Sequence, residues 1–447
     1  MPDRELMTGV DAAWLHMDRP ENTADVVAAM LFEDRIPFKA VQRLVEERVT
    51  ARPRFVQRVV HAGPLGLATW EPDPDFQLSR HLVLKRVDGQ VSRMLDRFAG
   101  EVASEALDPE HPLWRAYVLH GKGGGSAIVA KLHHCIADGF ALVGLLLSFA
   151  DELAASEPPP PPRKIASFKE LRPEGGLAPA LLAAFGDRAR AYALAGTGAK
   201  FGRSVARMAA LPADPPTPLS ATLSGRRRTA WSRGLKLLEL RALARGFGAT
   251  VNDVVLAALA GALRSHLAAR GQAVDGLGLR ALVPVNLRPQ LPAQLDGAMG
   301  NCFGLVFLDL PVHLPDPAAR IAAVQERVAA LKASHDAVAT YGVLSAIGHL
   351  PAPVESALLE FFSSKASLVV TNVPGPRQPL HVAGHLLKRV QFCVPHPARL
   401  GLGVSILSYA GELRVGARAD VAVMPDPADL VRRIPVELAA LKLAPVA

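Results

Sequence analysis

His133-His134-Cys135-Ile136-Ala137-Asp138-Gly139 is the stretch that decides how this chain folds. The run before it, Ala127 to Leu132, is apolar and β-prone, and the run after it, Phe140 to Phe149, is apolar and of helical length. This pattern predicts a strand, a short loop carrying both histidines, and a helix, with the imidazoles at the edge of a core and facing a cavity. An imidazole so placed takes a proton from a hydroxyl near neutral pH when one ring nitrogen is free and a partner holds the other. Asp138 is within reach to fix the loop and the ring. Gly139 is expected to supply the positive φ or close backbone approach that such turns often need.

Working outward, the chain divides into two mixed α/β halves. Residues 1–157 alternate strand-like runs (Val26 to Phe32, Leu113 to Leu119, Ala127 to Leu132) with helical ones (Phe38 to Val49, Ser92 to Ala106). The proline run Pro158 to Pro162 is expected to be extended and opens a linker, residues 158–224, that closes around Pro212 to Pro218. In residues 225–447, strands are predicted at Leu279 to Val285, Phe303 to Leu308, Leu368 to Thr371 and Val390 to Val394. Leu402 to Tyr409 and Leu413 to Ala417 read as a hairpin. Pro317 to Leu331 and Pro427 to Leu441 read as helices, each opened by a proline after an aspartate. Val254 to Leu263 reads as a buried helix, with Thr250 or Asn252 capping it and Asp253 in its first turn.

At 447 residues, half of them hydrophobic, the chain has ample core for two domains. No segment reaches eighteen apolar residues without a charge, so no transmembrane helix is expected, and the N-terminus lacks the apolar stretch of a secretory signal. Three cysteines, Cys135, Cys302 and Cys393, do not make a disulfide framework and suit a reducing cytoplasm. The net charge of +8 is concentrated between Arg163 and Arg245, including Arg226-Arg227-Arg228. No recognition motif or aromatic interleaving supports nucleic acid as its partner, and phosphates or anionic lipid headgroups are more economical ones. Leu177 to Leu211 suits an amphipathic helix on a membrane or droplet surface, and equally an ordinary linker helix packed on the two halves.

The histidine loop resembles the HHxxxDG signature of the CoA-dependent acyltransferase superfamily. Four further stretches narrow the resemblance to the wax ester synthase/diacylglycerol acyltransferase family, in that family's order along roughly the whole chain. They are the opening segment Asp11-Ala12-Ala13-Trp14-Leu15 with Met17-Asp18, then Pro112-Leu113-Trp114, Asn252-Asp253-Val254-Val255-Leu256-Ala257, and Asn372-Val373-Pro374-Gly375-Pro376. The resemblance implies two chloramphenicol-acetyltransferase-like α/β (α+β) sandwich lobes with a substrate tunnel between them. It also implies transfer of a long-chain acyl group from acyl-CoA, as co-substrate and without a cofactor, to diacylglycerol or a long-chain alcohol. Dual activity is the default expectation, with cytoplasmic placement and peripheral contact with a membrane or droplet.

In the superfamily the second histidine is the base, and the matching residue is His134. His133, Asp138 and Gly139 would shape the loop, with Asp138 an anchor rather than a proton acceptor. The superfamily often pairs this aspartate with an arginine, for which Arg288 is the candidate. Asn252, with Asp253 beside it, is expected to orient substrate or stabilise the developing oxyanion. Trp14 and Trp114 are expected to be packing residues and the Pro374-Gly375 turn structural. Rival readings are a thiol hydrolase built on Cys135, a metal site from His133, His134 and Asp138, and an H-x4-D glycerophosphate acyltransferase. An acyltransferase with another acceptor, or a weakly active lipid-surface homologue, also stays open. Two departures from the family pattern are Met7-Thr8-Gly9-Val10 ahead of Asp11, and Cys302 after Gly300-Asn301.

Overall fold

The computed structural model describes residues 4–62, 67–153, 198–288, 300–350 and 352–443. Before the linker lie strands β1 (Glu5–Leu6), β2 (Asp25–Phe32), β3 (Gln57–Ala62), β4 (Leu67–Pro72), β5 (Leu82–Val87), β6 (Trp114–Gly121) and β7 (Ser126–His133). After it come β8 (Arg227–Trp231), β9 (Leu235–Lys236), β10 (Leu279–Asn286), β11 (Phe303–Leu310) and β12 (Leu368–Pro374). These are followed by β13 (Leu380–Val382), β14 (His385–Cys393), β15 (Leu402–Tyr409) and β16 (Glu412–Asp420). Two large sheets dominate, ordered β13-β14-β2-β7-β6-β5 and β11-β10-β12-β15-β16-β8, with β9 also paired to β16; β1, β4 and β3 form a small third sheet.

Strand alternation explains how the sheets pack. On β2, Val27, Ala29 and Leu31 face one core together with Leu95, Ala99 and Val102 of the helix Val91–Ser104. The intervening Val26, Ala28, Met30 and Phe32 face the other way, into a core that also contains Leu282, Phe303, Val369 and Val373 of the second lobe. The second sheet does the same. Leu368 and Val370 pack with the helices Val251–Ala269 and Pro427–Leu443, while Val369 and Val373 face the first lobe. Both faces of the central strands are covered, which is why these runs are continuously apolar. The core between the lobes is where the histidine loop ends up.

The predicted strands and helices lie where the apolar patterns placed them, and the Leu402–Tyr409 hairpin pairs in register with β16. The division at residue 225 needs correction. β13 and β14 leave the second lobe and join the first lobe's sheet, β14 pairing antiparallel with β2 from Leu387↔Phe32 to Cys393↔Val27. Pro158 to Pro162 and residues 177–197 of the expected amphipathic helix lie outside the described residues. The helix Gly198–Ala210, at the end of that segment, is held by protein contacts. Arg207 pairs with Asp336, and Lys365 Nζ donates to the carbonyls of Ala209 (3.0 Å) and Leu211. Among the described residues no single helix is long and apolar enough to cross a membrane. One bent pair passes by length and composition, but its second member, Val251–Ala269, forms the second lobe's core.

Candidate active site

β7 ends at His133, opposite Asp25 of β2, and the chain turns through His134 to Asp138 into the helix Gly139–Ser148. Backbone bonds fix the turn: His133 N donates to Leu113 O and His134 N to Ala24 O, both at 2.9 Å. The His133 ring turns away from the second lobe. Its Nδ1 accepts the backbone N–H of Cys135 at 3.1 Å, and its Nε2 lies 3.0 Å from Asp18 Oδ1. Nε2 carries a proton toward the Asp18 carboxylate.

His134 points into the space between the lobes. Its ring stacks on Trp14 with centroids 4.0 Å apart and planes at 19°, and Phe303 meets it edge-on at 5.5 Å. This apolar enclosure strips water from the imidazole. Burial, helped by the neighbouring His133 and only partly offset by Asp138 and Asn301, lowers its pKa to about 4. At neutral pH the ring is therefore uncharged and able to accept a proton. Asn301 Nδ2 donates to the carbonyl oxygen of His134 at 2.8 Å.

Asp138 caps the helix Gly139–Ser148, its Oδ1 accepting from Ala141 N at 2.9 Å. Its Oδ2 accepts from Cys302 N at 2.9 Å and from Arg288 Nη1 at 2.6 Å. With both oxygens engaged, the carboxylate ties the histidine loop to the second lobe. Cys135 is buried, and burial pushes its thiol pKa up, leaving a poor nucleophile. Among the described residues no group of three or more metal-ligating side chains comes together.

A narrow cavity of about 40 Å³ opens beside His134. The first lobe contributes Trp14, Val26, Asp138 and Gly139, the second Leu282, Phe303, Val369 and Thr371 among others, so the site exists only where the lobes meet. Among the described residues its wall is apolar apart from His134, Asp138 and Thr371. The tunnel implied by the resemblance corresponds to this cleft between the lobes.

Two expected roles are corrected. Gly139 has neither a positive φ nor a tight backbone contact: it is the first residue of a helix, and a Cβ there would sit 3.7 Å from Val373 Cγ2. Its lack of a side chain leaves room in the cleft. Asn252 lies on the far side of the second sheet from His134. Val369, Thr371 and Val373 of β12 face the cavity, so Asn372 faces the other way, and Asn252 Oδ1 accepts from Asn372 Nδ2 at 2.8 Å. Asp253 completes a capping box, its Oδ2 accepting from Thr250 N (2.9 Å) and Thr250 Oγ1 (2.7 Å). Arg288 is in place beside Asp138, and Trp114 packs, its Nε1 donating to Phe55 O at 2.8 Å.

Trp14, expected only to pack, forms one wall around the base. Asp11, Asp18 and Asn301 escaped the sequence reading as members of the site. Asp11 and Asn301 are 290 residues apart, yet Asp11 Oδ1 accepts both Asn301 N (3.1 Å) and Asn301 Nδ2 (2.7 Å). The one local signal was a pair of aspartates, Asp11 and Asp18, on and just beyond an otherwise apolar helix.

Comparison with known proteins identifies the family. Residues 7–255 match the wax ester synthase/diacylglycerol acyltransferase catalytic domain, and residues 299–442 match the WS/DGAT C-terminal domain. The chain is 29% identical over 445 residues to a probable diacylglycerol O-acyltransferase of Mycobacterium tuberculosis, covering 96% of this chain and 94% of that one. It is 30% identical over 346 residues to a putative diacylglycerol O-acyltransferase of Mycobacterium bovis, covering 72% of this chain and 66% of that one. The fold matches a wax ester synthase/diacylglycerol acyltransferase from Marinobacter aquaeolei with a TM-score of 0.67 at 21% identity, over 98% of this chain and 99% of that one. It also matches the first condensation domain of the CDA synthetase, with a TM-score of 0.63 at 16% identity, over 99% and 97% of the two chains.

Proposed function

The chain belongs to the wax ester synthase/diacylglycerol acyltransferase family of acyltransferases, and on that premise we propose that it moves a long-chain acyl group from acyl-CoA to diacylglycerol, to a long-chain alcohol, or to both. The observation that carries this reading is the His134 imidazole stacked on Trp14 in an apolar cleft walled by both lobes, where burial lowers its pKa to about 4. An acyl thioester is an activated donor, and a hydroxyl needs only to lose its proton to attack it.

His134 Nε2 takes that proton as the hydroxyl oxygen bonds to the thioester carbon. The tetrahedral intermediate then collapses, the C–S bond breaks, and the imidazolium returns its proton to the departing thiolate. The apolar wall limits competition from water. With Asn252 on the far face, Thr371 supplies the one hydroxyl among the described lining residues, and that hydroxyl is the donor for the developing oxyanion. Both acceptors partition into lipid, so the protein works at a membrane or droplet surface, where exposed Leu238, Val436 and Leu443 are available to contact it. Flotation with anionic vesicles tests that placement; protein left at the bottom of the gradient would refute it.

The decisive assay offers palmitoyl-CoA with hexadecanol or dioleoylglycerol to wild type and to His134→Ala, following free CoA and ester together. Wax ester or triacylglycerol made by wild type and lost in the variant is the expected result, and the acceptor ratio names the main activity. Ester formation that survives the substitution would remove His134 from the mechanism.

A further inference from the structure

A second cavity, of about 300 Å³, lies in the first lobe and shares no lining residue with the cleft at His134. It is large enough for a small molecule. Arg80 and His81 of the helix Leu78–His81, Asp108 and His111 of the loop ahead of β6, and Trp114 and Arg115 of β6 form most of its wall. Both guanidiniums are exposed and engage uncharged partners. Arg115 lies over the Tyr117 ring, 5.5 Å from its centroid, and Arg80 Nη1 donates to His111 Nε2. A guanidinium only donates, so the His111 proton sits on Nδ1, 2.8 Å from Asp73 Oδ2. Asp73 therefore holds Arg80 through the imidazole and does not pair with it directly.

His81 is the second, independent observation. It is 4% exposed, its ring stacks on Phe76 and Trp114, and its Nδ1 donates to Trp114 O at 2.8 Å. Burial lowers its pKa, so at neutral pH the ring is uncharged and Nε2 is an acceptor. That Nε2 is buried and has no partner among the described residues. Asp108 adds a carboxylate, of which Oδ1 accepts from Glu110 N at 3.0 Å. The wall thus combines two cations with two acceptors. A simple anion would use only the cations and would be repelled by Asp108. A phosphate ester beside a free hydroxyl would use both, its phosphoryl oxygens taking the guanidinium forks.

We propose that this cavity binds a phosphate ester with a free hydroxyl beside the phosphate, the phosphate held by Arg80 and Arg115 and the hydroxyl by His81 Nε2 or Asp108. Leu113, between Pro112 and Trp114 of the wall, accepts from His133 N at 2.9 Å, so the site lies at the same end of the first sheet as the histidine loop. Two sources carry this chemistry to that end of the molecule. One is the phosphorylated ribose of coenzyme A, and the other is a glycerophosphate headgroup at a lipid surface.

The test uses the full-length protein labelled with ¹⁵N-histidine, the His81 signals being assigned by their loss in His81→Gln. Adenosine 3′-phosphate and glycerol 3-phosphate are titrated in separately, with adenosine, glycerol and potassium chloride at matched ionic strength as controls. A saturable shift of the His81 signals by either ester, and by none of the controls, is the expected result. The ester that saturates at the lower concentration names the source, ribose phosphate or headgroup. Arg80→Ala and Arg115→Ala should each weaken that binding roughly tenfold, the loss of one charge-assisted contact, and the double variant should abolish it. Both side chains are exposed, so these variants are expected to keep the fold. No shift with either ester, an equal shift with potassium chloride, or undiminished binding by the double variant would overturn the site. Binding is read here without turnover, so failure of ester synthesis would sink the acyl-transfer reading and leave this site to be judged separately.

Discussion

Arg288 and Asp138, 150 residues apart, meet at 2.6 Å and lock the histidine loop of one lobe to the second lobe. Asp138 is 2% exposed and Arg288 14%, so the pair works largely without solvent screening. Removing one member of such a pair leaves an uncompensated buried charge and costs on the order of 3–5 kcal/mol. Arg288→Ala should lose about that much in urea unfolding, and its kcat should fall because the loop and Gly300, whose carbonyl oxygen also accepts from Arg288, loosen together. Arg288→Lys keeps the charge but not the fork that reaches both Asp138 and Gly300 O, and should fall between the two. A loss below about 1 kcal/mol in Arg288→Ala would show that the pair is not a fastening.

Burial holds the pKa of His134 at about 4, which fixes the direction of two pH effects. The active form is the neutral ring, so kcat/KM should stay level from pH 7 to about 5 and then fall as the ring is protonated. The folded pKa lies below the unfolded value, so the unfolded chain binds more protons on this ring between roughly pH 6.5 and 4. Stability from this group is present in full above that window and is lost as pH falls through it, by about 3 kcal/mol in total. His134→Gln should flatten that part of the pH dependence of unfolding. A ¹⁵N titration placing the ring near 6.5 would contradict both expectations.

Gly139 separates folding from substrate access. It opens a helix at ordinary helical φ, so alanine suits its backbone and should stabilise by about 0.4–1 kcal/mol. The added Cβ would stand 3.7 Å from Val373 Cγ2 across the cleft, an ordinary contact. Gly139→Ala is therefore expected to keep or raise Tm while reducing turnover with long acyl chains, and Gly139→Val to abolish it with the fold intact. Equal turnover of palmitoyl-CoA by Gly139→Val and wild type would show that the chain does not pass this point.

Much of this was legible because it is local. The apolar runs around the histidines, the aspartate-proline helix starts and the Leu402–Tyr409 hairpin are each written in a few adjacent residues. The failures share a different cause. Asn252 reads well as a rigid residue at a helix start, and it is one; which face of a sheet that start lies on depends on the register of β12, 120 residues away. The Asn301–Asp11 bond and the passage of β14 into the first lobe's sheet are likewise pairings across the whole chain. Gly139 was misread for another reason: a glycine at a turn suggests backbone freedom, whereas this one leaves side-chain space.

Asp253 belongs to the capping box rather than to the cleft, and its substitution should show it. Asp253→Ala removes the acceptor for Thr250 N and Oγ1 and should cost about 0.5–2 kcal/mol, typical of a lost cap. Activity per folded molecule should stay within twofold, and Asn252→Ala should behave alike with a smaller stability change. A large fall in kcat for either variant with unchanged stability would return this helix start to the active site.

Thr371 gives the sharpest test of how the thioester carbonyl is stabilised. It lies on the cavity face of β12, between Val369 and Val373, and its hydroxyl is the one side-chain hydroxyl among the described residues of the wall. Thr371→Val keeps the shape and β-branching of the side chain in apolar surroundings, so the fold should be unaffected. If the hydroxyl donates to the developing oxyanion, its loss should lower kcat by roughly a hundredfold or more, the usual effect of deleting one such donor. KM for acyl-CoA should hardly change, because the bond strengthens only as negative charge builds on the oxygen. Thr371→Ser, which keeps the hydroxyl and removes a methyl, should recover most of the rate. A Thr371→Val enzyme with kcat within twofold of wild type would leave the oxyanion without this donor and shift the search to main-chain N–H groups at the cleft.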